Sequence, residues 1–258
     1  EQSPLLIAGP CVLEDIETAL SIGAFMAQAA GDYGFSYLFK ASFDKANRTS
    51  IKSYRGPGLT EGLEMLSAVK KELNVPVISD IHTPDQAEAA AKVLDCIQIP
   101  AFLCRQTDLL MAAAQTRLPI NIKKGQFMAP WDMRHAVAKI KEMGNDQIIL
   151  TERGNSFGYN NLVVDMRGLA IMREIGFPVI FDATHSVQLP GGGDGCSSGQ
   201  REFVSTLARA AMAAGVDGIF MEVHPNPDKA LCDGPNSLSL EAAADLLKVL
   251  SRIRQAVD

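Results

Sequence analysis

The chain has 258 residues, 47% of them apolar, with 24 Lys and Arg against 30 Asp and Glu, a formal net charge of −6. That apolar share supplies one large core, and the absence of any run of 18 apolar residues excludes a membrane-spanning helix. The acidic balance, with no aromatic-interleaved basic run, argues against nucleic acid as a partner, and the opening EQSPLLIAGP lacks a charged stretch followed by an apolar signal core.

Short apolar runs recur along the chain, and each ends in polar residues that strand packing does not require. Leu5-Leu6-Ile7-Ala8 runs into Gly9-Pro10-Cys11, and a stretch of helical spacing follows from Thr18 to Ala30. Tyr37-Leu38-Phe39 releases Lys40 to Ser50, KASFDKANRTS, ahead of helical spacing from Leu59 to Leu73. Val77-Ile78 leads to Ser79-Asp80-Ile81-His82, then a helix over Asp85 to Val93. Cys96-Ile97-Gln98-Ile99 leads to Pro100-Ala101 and Arg105, then a helix over Asp108 to Gln115. Ile120-Asn121-Ile122 gives way to Lys123-Lys124-Gly125 and a helix over Asp132 to Met143. Ile148-Ile149-Leu150 gives way to Glu152-Arg153-Gly154 and a helix over Leu162 to Ile175. Val179-Ile180-Phe181 precedes Asp182-Ala183-Thr184-His185 and a helix over Gln200 to Ala214. Ile219-Phe220-Met221 precedes Glu222-Val223-His224-Pro225 and a last helix over Leu240 to Val257.

Eight strands alternating with eight helices predict a parallel sheet, and eight units in 258 residues predict a single (β/α)8 TIM barrel over residues 1–258. An open doubly wound sheet is the alternative, but Gly9-Pro10-Cys11 is not the glycine-rich turn that such sheets carry after the first strand. A barrel of this kind works at the C-terminal ends of its strands, and those are the ends that carry the polar residues here. Helix N-termini face the same rim and favour phosphate there.

The segment from Lys40 to Ser50 concentrates two lysines, Asn47, Arg48 and hydroxyls where a strand ends. Fixed cations beside neutral donors suit a phosphorylated or carboxylated small molecule, although a basic stretch by itself is more often a solvated loop. Pro190 to Gly199 is glycine-rich but lacks the lysine of a phosphate-binding loop, and reads as a lid.

Five cysteines, at 11, 96, 104, 196 and 232, form no CxxC pair, which predicts reduced thiols in a cytosolic protein and not a disulfide framework. Cys96, inside a strand, reads as packing. Cys11 follows the first strand, His185 the seventh and Glu222 the eighth, with Asp233 in the loop beyond. Those strands are neighbours in a closed barrel, so a thiolate, an imidazole and two carboxylates can meet there, a donor set suited to zinc or iron above magnesium. No local ligand spacing supports this, and a packed thiol beside hydrogen-bonded carboxylates fits the same residues.

Eight stretches in order, GPC at 9–11, KASFDKANRTS at 40–50, SDIH at 79–82, QIPAFLCRQTDLL at 98–110, IKKGQFMAPWDM at 122–133, TERGNSFGYNNLVVDMR at 151–167, FDATHSVQLPGG at 181–192 and EVHPNPDKALCDGPNSL at 222–238, closely resemble the 3-deoxy-D-manno-octulosonate 8-phosphate synthase family. The resemblance runs along essentially the whole chain. It implies a cytoplasmic homotetramer of barrels that condenses phosphoenolpyruvate, D-arabinose 5-phosphate and water, as a step in lipopolysaccharide precursor synthesis. It also implies roles. Lys123, Arg153, Arg105 and the backbone at Ala101 would hold the phosphoenolpyruvate phosphate, with Gln188 in the same substrate site. Lys40, Lys45 and Gln98 would lie near its carboxylate and reacting carbons, and Asp80 would join Lys45, Lys123, His185 and Asn47 in the chemistry. Asn47 would meet the sugar carbonyl, and Arg48 with Thr49 the sugar phosphate. Thr49 stands where family members more often have serine, and the hydroxyl survives.

The same resemblance bears on the metal. The family has metal-dependent members with cysteine, and metal-independent members with asparagine, at the position of Cys11. Cys11 therefore implies a divalent ion, zinc, iron or manganese, held with His185, Glu222 and Asp233, while the CDG at 232–234 is a motif common among metal-independent relatives. Three rivals remain at this level. One is the neighbouring synthase that uses erythrose 4-phosphate, whose members tend to have KPRTS where this chain has KANRTS. The others are a Schiff-base aldolase using Lys40 or Lys123, and a non-catalytic sugar-phosphate-binding barrel.

Overall fold

A computed structural model describes residues 3–192 and 198–257. Its centre is a closed barrel of eight parallel strands: β1 (Leu5–Gly9), β2 (Ser36–Lys40), β3 (Val77–Asp80), β4 (Cys96–Ile99), β5 (Ile120–Lys123), β6 (Ile148–Glu152), β7 (Val179–Asp182) and β8 (Gly218–Glu222). Each strand pairs with its neighbours in chain order, and β1 closes on β8 with Leu5 opposite Gly218 and Gly9 opposite Glu222. The expected strands all form, and no helix among the described residues is long and apolar enough to cross a membrane.

The period of two along each strand divides the core into two layers. Leu6, Ala8, Phe39, Ile97, Ile99, Ile120, Ile122 and Phe181 point outward into the cluster beneath the helices. Ile7, Leu38, Ile78, Cys96, Ile180 and Phe220 form a separate inner cluster that fills the barrel. Two residues beyond these inner positions, the same face carries Lys40, Asp80, Gln98, Asp182 and Glu222. The strand period that buries an apolar plug thus sets a polar layer directly above it.

Around the barrel lie α1 (Ile16–Asp32), α2 (Leu59–Leu73), α3 (Gln86–Ala91), α4 (Thr107–Gln115), α5 (Met133–Glu142), α6 (Arg167–Arg173), α7 (Val204–Ala213) and α8 (Leu240–Val257). The Asp15 side chain caps α1 by accepting from the Thr18 N–H at 2.7 Å, satisfying one of the amides left free at a helix start. One helix departs from expectation. Leu162–Val163 pairs antiparallel with Asn155–Ser156, and the helix begins only at Arg167, whose backbone N–H donates to Asp165 at 3.0 Å. The apolar residues there match a helical stripe, but the local hairpin takes their backbone hydrogen bonds first. Of the glycine-rich stretch, Cys196 and its neighbours at 193–197 lie outside the described residues.

Candidate functional site

Lys40, at the end of β2, is buried against Glu222, donating to its Oε1 at 3.1 Å and to the Cys11 carbonyl at 3.1 Å. Burial, reinforced by the neighbouring Lys45 charge, pushes its pKa down to about 8. The close approach of β1 that makes this contact requires Gly9, where a Cβ would overlap the Lys40 carbonyl. Lys45 Nζ stands 3.6 Å from the same Glu222 oxygen. Burial works against the Lys45 charge, but Glu222, Asp80 and Asp233 outweigh it and raise the pKa.

Lys123, ending β5, donates to Asp182 Oδ2 at 2.5 Å, lies 3.5 Å from His185 Nδ1, and sits 3.6 Å above the Phe220 ring that tops the inner plug. Burial lowers its pKa against the pull of Asp182. Arg153 Nη2 donates to Gln188 Oε1 at 3.1 Å, and Arg153 Nη1 is buried without a hydrogen-bond partner among the described residues. Gln98 Oε1 is also buried and unpartnered. Asp80 accepts from Ser42 Oγ at 2.5 Å and from His82 Nε2 at 3.0 Å. Burial works against its ionised form, but His82, Lys45 and Lys40 hold it well below the usual carboxylate range.

Asp182 is the residue that reading the sequence missed. Fully buried, it binds Lys123 and His185 Nδ1 at 2.8 Å, and accepts the His185 backbone N–H at 2.9 Å. Despite the opposing effect of burial, His185 and Lys123 hold its carboxyl far below the usual range. The signal was available: Asp182 and His185 are three apart where β7 passes into a tight turn, a spacing that puts both side chains on one side. With Nδ1 engaged, His185 Nε2 faces Glu222 Oε1 at 3.6 Å and Asp233 Oδ2 at 3.7 Å. Cys11 Sγ lies 3.5 Å from the same Asp233 oxygen. Asp233 adopts the left-handed backbone region, φ 45°, while its carbonyl accepts the N–H groups of Asn236 and Ser237. Burial opposes the Asp233 charge, yet a bond to His185 and the nearby cations depress its pKa well below normal.

These donors fit a divalent cation. Ligand atoms bonded to one ion at about 2.0–2.3 Å stand about 3–4 Å apart, close to the spacing found among His185, Glu222 and Asp233, while Cys11 reaches this set only at Asp233; among the described residues Glu222 Oε2 is buried without a partner. The carboxylate oxygen that Lys40 and Lys45 approach is one of those donors, so the two lysines compete with an ion for it.

The structure corrects the expectation of five unpaired thiols. Cys11 and Cys232 form a disulfide, with Cα atoms 5.9 Å apart, while Cys96 and Cys104 are buried and free. The pairing was invisible in sequence because 221 residues separate the two cysteines and only barrel closure brings them together. In this state Cys11 has no thiolate to offer a metal.

Other predicted residues sit apart from this interlocked group. Asn47 and Thr49 are exposed, and Arg48 donates through Nε to the Tyr54 carbonyl at 3.0 Å and approaches Asp233 at 4.0 Å. Ala101 is buried at the start of the short turn after β4, whereas Arg105 is exposed at the rim. A cavity of about 400 Å³ beside the site, lined by Gln126, Met128, Trp131 and Glu152 among others, holds none of these cations.

The family model described as DAHP synthetase I family matches residues 1–258. The chain is 60% identical over 257 residues to the 2-dehydro-3-deoxyphosphooctonate aldolase of Desulfotalea psychrophila, covering 100% of this chain and 92% of that protein. It is 61% identical over 252 residues to the protein of that name from Desulfatibacillum aliphaticivorans, covering 98% and 92%. The corresponding protein of Geobacter sp. (strain M21) is 62% identical over 253 residues, covering 98% and 93%.

Proposed function

We infer that this chain, which belongs to the DAHP synthetase I family, condenses phosphoenolpyruvate with D-arabinose 5-phosphate and water, giving 3-deoxy-D-manno-octulosonate 8-phosphate and inorganic phosphate. The observation that carries the reading is the polar layer itself: Lys40, Lys45, Lys123 and Arg153 converge above one apolar plug, and among the described residues the buried donor Arg153 Nη1 has no partner. Two substrates carrying about four negative charges between them require such a cluster. The relatives' name favours the octulosonate product over the erythrose 4-phosphate alternative. The barrel over residues 1–258 is then one catalytic domain, acting in the cytoplasm as a homotetramer in lipopolysaccharide precursor synthesis.

In this reading Lys123 and Arg153, the latter steadied by Gln188, take the enol phosphate, with Arg105 and the Ala101 backbone completing its site. Lys40, Lys45 and Gln98 take its carboxylate. Asn47 orients the sugar aldehyde, and Arg48 with Thr49 takes the distal phosphate. C3 of the enol attacks the aldehyde carbon, the cation developing at C2 is captured by water, and the resulting hemiketal phosphate loses phosphate by C–O cleavage. The enol is a weak carbon nucleophile, so the mouth must hold both carbons at near-attack distance and exclude bulk water. Asp80, tied to Ser42 and His82, balances the charge of Lys40 and Lys45. Asp182 fixes His185 and Lys123 for proton movement at the newly formed alkoxide and the attacking water. A divalent ion, zinc, iron or manganese, held by the reduced Cys11 with His185, Glu222 and Asp233, would supply electrophilic polarisation of the aldehyde or acidify a water.

Phosphate release from phosphoenolpyruvate tests the reading. Arabinose 5-phosphate should drive it at least about a hundredfold faster than erythrose 4-phosphate. Chelator should abolish it in the reduced wild type, while Cys11→Asn, which exchanges the thiolate for a neutral amide, should keep chelator-resistant turnover. Equal use of both sugars would overturn the substrate assignment, and chelator-resistant wild type with no bound metal would overturn the metal.

A further inference from the structure

Lys123 and Arg153, the two cations assigned to the enol phosphate, each have a charged neighbour in sequence that the chemistry leaves unused. Successive residues of a strand face opposite sides, so Lys124 and Glu152 lie behind the barrel wall, against the loop after β5 and the start of α6. The ladder between β5 and β6 runs on through Lys124, whose N–H donates to the Thr151 carbonyl at 2.8 Å. Both side chains are buried, and they pair at 3.5 Å. Lys124 Nζ also donates to Asn155 Oδ1 at 2.6 Å and to the carbonyls of Gly125 and Met128, each at 3.3 Å. Burial lowers its pKa against the pull of Glu152. The Glu152 Oε1 that it faces accepts two backbone N–H groups, that of Arg153 at 3.0 Å and that of Gly154 at 2.6 Å. Those amides stand where β6 ends and the chain turns, with Gly154 in the left-handed region at φ 92°.

The Arg153 side chain is held far more loosely than its backbone. Its guanidinium donates to Gln188, makes no ion pair among the described residues, and keeps Nη1 unpartnered there. A carboxylate against the guanidinium would fix it but cancel the charge that a phosphate needs. One on the far side of the strand, bound to the amides, fixes the backbone and leaves the cation free. We propose that Glu152 and Lys124 are positioning residues for the phosphoenolpyruvate phosphate: Glu152 holds the backbone from which Arg153 reaches the ligand, and Lys124 ties Glu152 to the loops after β5 and β6. The proposal rests on the assignment of Lys123 and Arg153 to the enol phosphate given above. A buried ion pair with only a folding role can be exchanged for apolar residues of similar size at little cost, because the penalty of taking two charges out of water goes with them. The amides behave differently. An apolar residue at position 152 leaves both N–H groups without their acceptor, and the Arg153 backbone shifts to find another.

The test reads affinity and stability in the same full-length proteins. Phosphoenolpyruvate and inorganic phosphate are titrated calorimetrically into wild type, Glu152→Leu, Glu152→Gln, the double variant Lys124→Met/Glu152→Leu, and Arg153→Ala as reference, and each protein is melted. Glu152→Leu should lose about ten- to a hundredfold in affinity for both anions, and should melt lower because Lys124 is left buried without its counter-ion. The double variant should recover much of the melting temperature and none of the affinity. It carries no unpaired buried charge, so it gives the reading even where Glu152→Leu fails to fold. Glu152→Gln keeps an acceptor oxygen and should stay within about threefold of wild type. In steady state the KM for phosphoenolpyruvate should rise in the double variant while that for arabinose 5-phosphate stays within about twofold. Wild-type anion affinity in the double variant, with affinity lost in Arg153→Ala, would overturn the inference alone. A loss in Glu152→Gln as large as in Glu152→Leu would also overturn it, because the acceptor would then not be what matters. Unchanged affinity in Arg153→Ala would overturn the assignment of Arg153 and the inference with it.

Discussion

Two stretches of the barrel mouth carry similar chemistry in opposite physical states. On the β5, β7 and β8 side, Lys123, Asp182 and Glu222 are buried and locked together: Asp182 holds both Lys123 and His185, and Glu222 holds Lys40 and lies near Lys45. In the loop after β2, Asn47 and Thr49 are exposed, and Arg48 reaches its nearest carboxylate only at 4.0 Å. Charges taken out of water need fixed partners, and strand ends with a two-residue period supply them. Asn47 and Thr49, in water, have no such need, while Arg48 is half-buried with Nη2 unpartnered among the described residues. The first side is organised before any ligand arrives, and the second has its ordering cost still to meet when one binds. Substitutions on the first side should therefore strike turnover, and those on the second should strike binding.

The sharpest way to break that contrast is Lys123→Ala. Turnover should fall at least about a thousandfold while the chain stays folded, because Asp182 keeps the His185 ring and backbone N–H as partners. Circular dichroism and phosphate release check the two halves, and a folded variant with near-wild-type kcat would remove Lys123 from the chemistry. Asp182→Asn should come next, at about a hundredfold in turnover and about ten- to a hundredfold in zinc affinity. The amide keeps the shape but loses the charge that orients His185. Competition with a chromophoric chelator reads the affinity, and unchanged zinc binding would reduce Asp182 to a packing role.

On the loop side, Arg48→Ala should weaken arabinose 5-phosphate binding by about ten- to a hundredfold and leave phosphoenolpyruvate within about twofold. Calorimetric titration of each substrate separates them, and equal losses would erase the division between the two sides.

The smallest effect is a pH dependence at Lys40. Its pKa of about 8 leaves it a cation below that value and neutral above, so phosphoenolpyruvate affinity should decline several-fold as pH rises through about 8. Lys40→Arg, which stays charged in that range, should flatten the profile. Stability of the unliganded chain should move the other way. The unfolded lysine keeps its proton up to about 10.5 while the folded one releases it near 8, so between those values the unfolded state binds more protons and stability rises with pH. A flat affinity profile in the wild type would take Lys40 out of contact with the carboxylate.

Much of this molecule was determined by the sequence alone. Apolar runs that end in polar residues identify all eight strands and the end of the barrel where the polar side chains gather, because strand packing never requires a lysine or an aspartate after a buried isoleucine. Lys40, Lys123, Arg153 and Glu222 are legible for that reason, and so is the meeting of the first, seventh and eighth strands, which closure compels. Leu162 was misread as helical because two apolar residues fit either period, and the choice fell to a hairpin partner six residues earlier. Tertiary structure alone decided which group holds which. Asp182 binds Lys123 across two strands, Glu222 answers a lysine 182 residues away, and Cys11 meets a cysteine 221 residues away. The local pattern fixes which face of a strand a side chain occupies, but the partner opposite depends on barrel closure, register and the backbone turn at Asp233, none of which is a property of neighbouring residues in the chain.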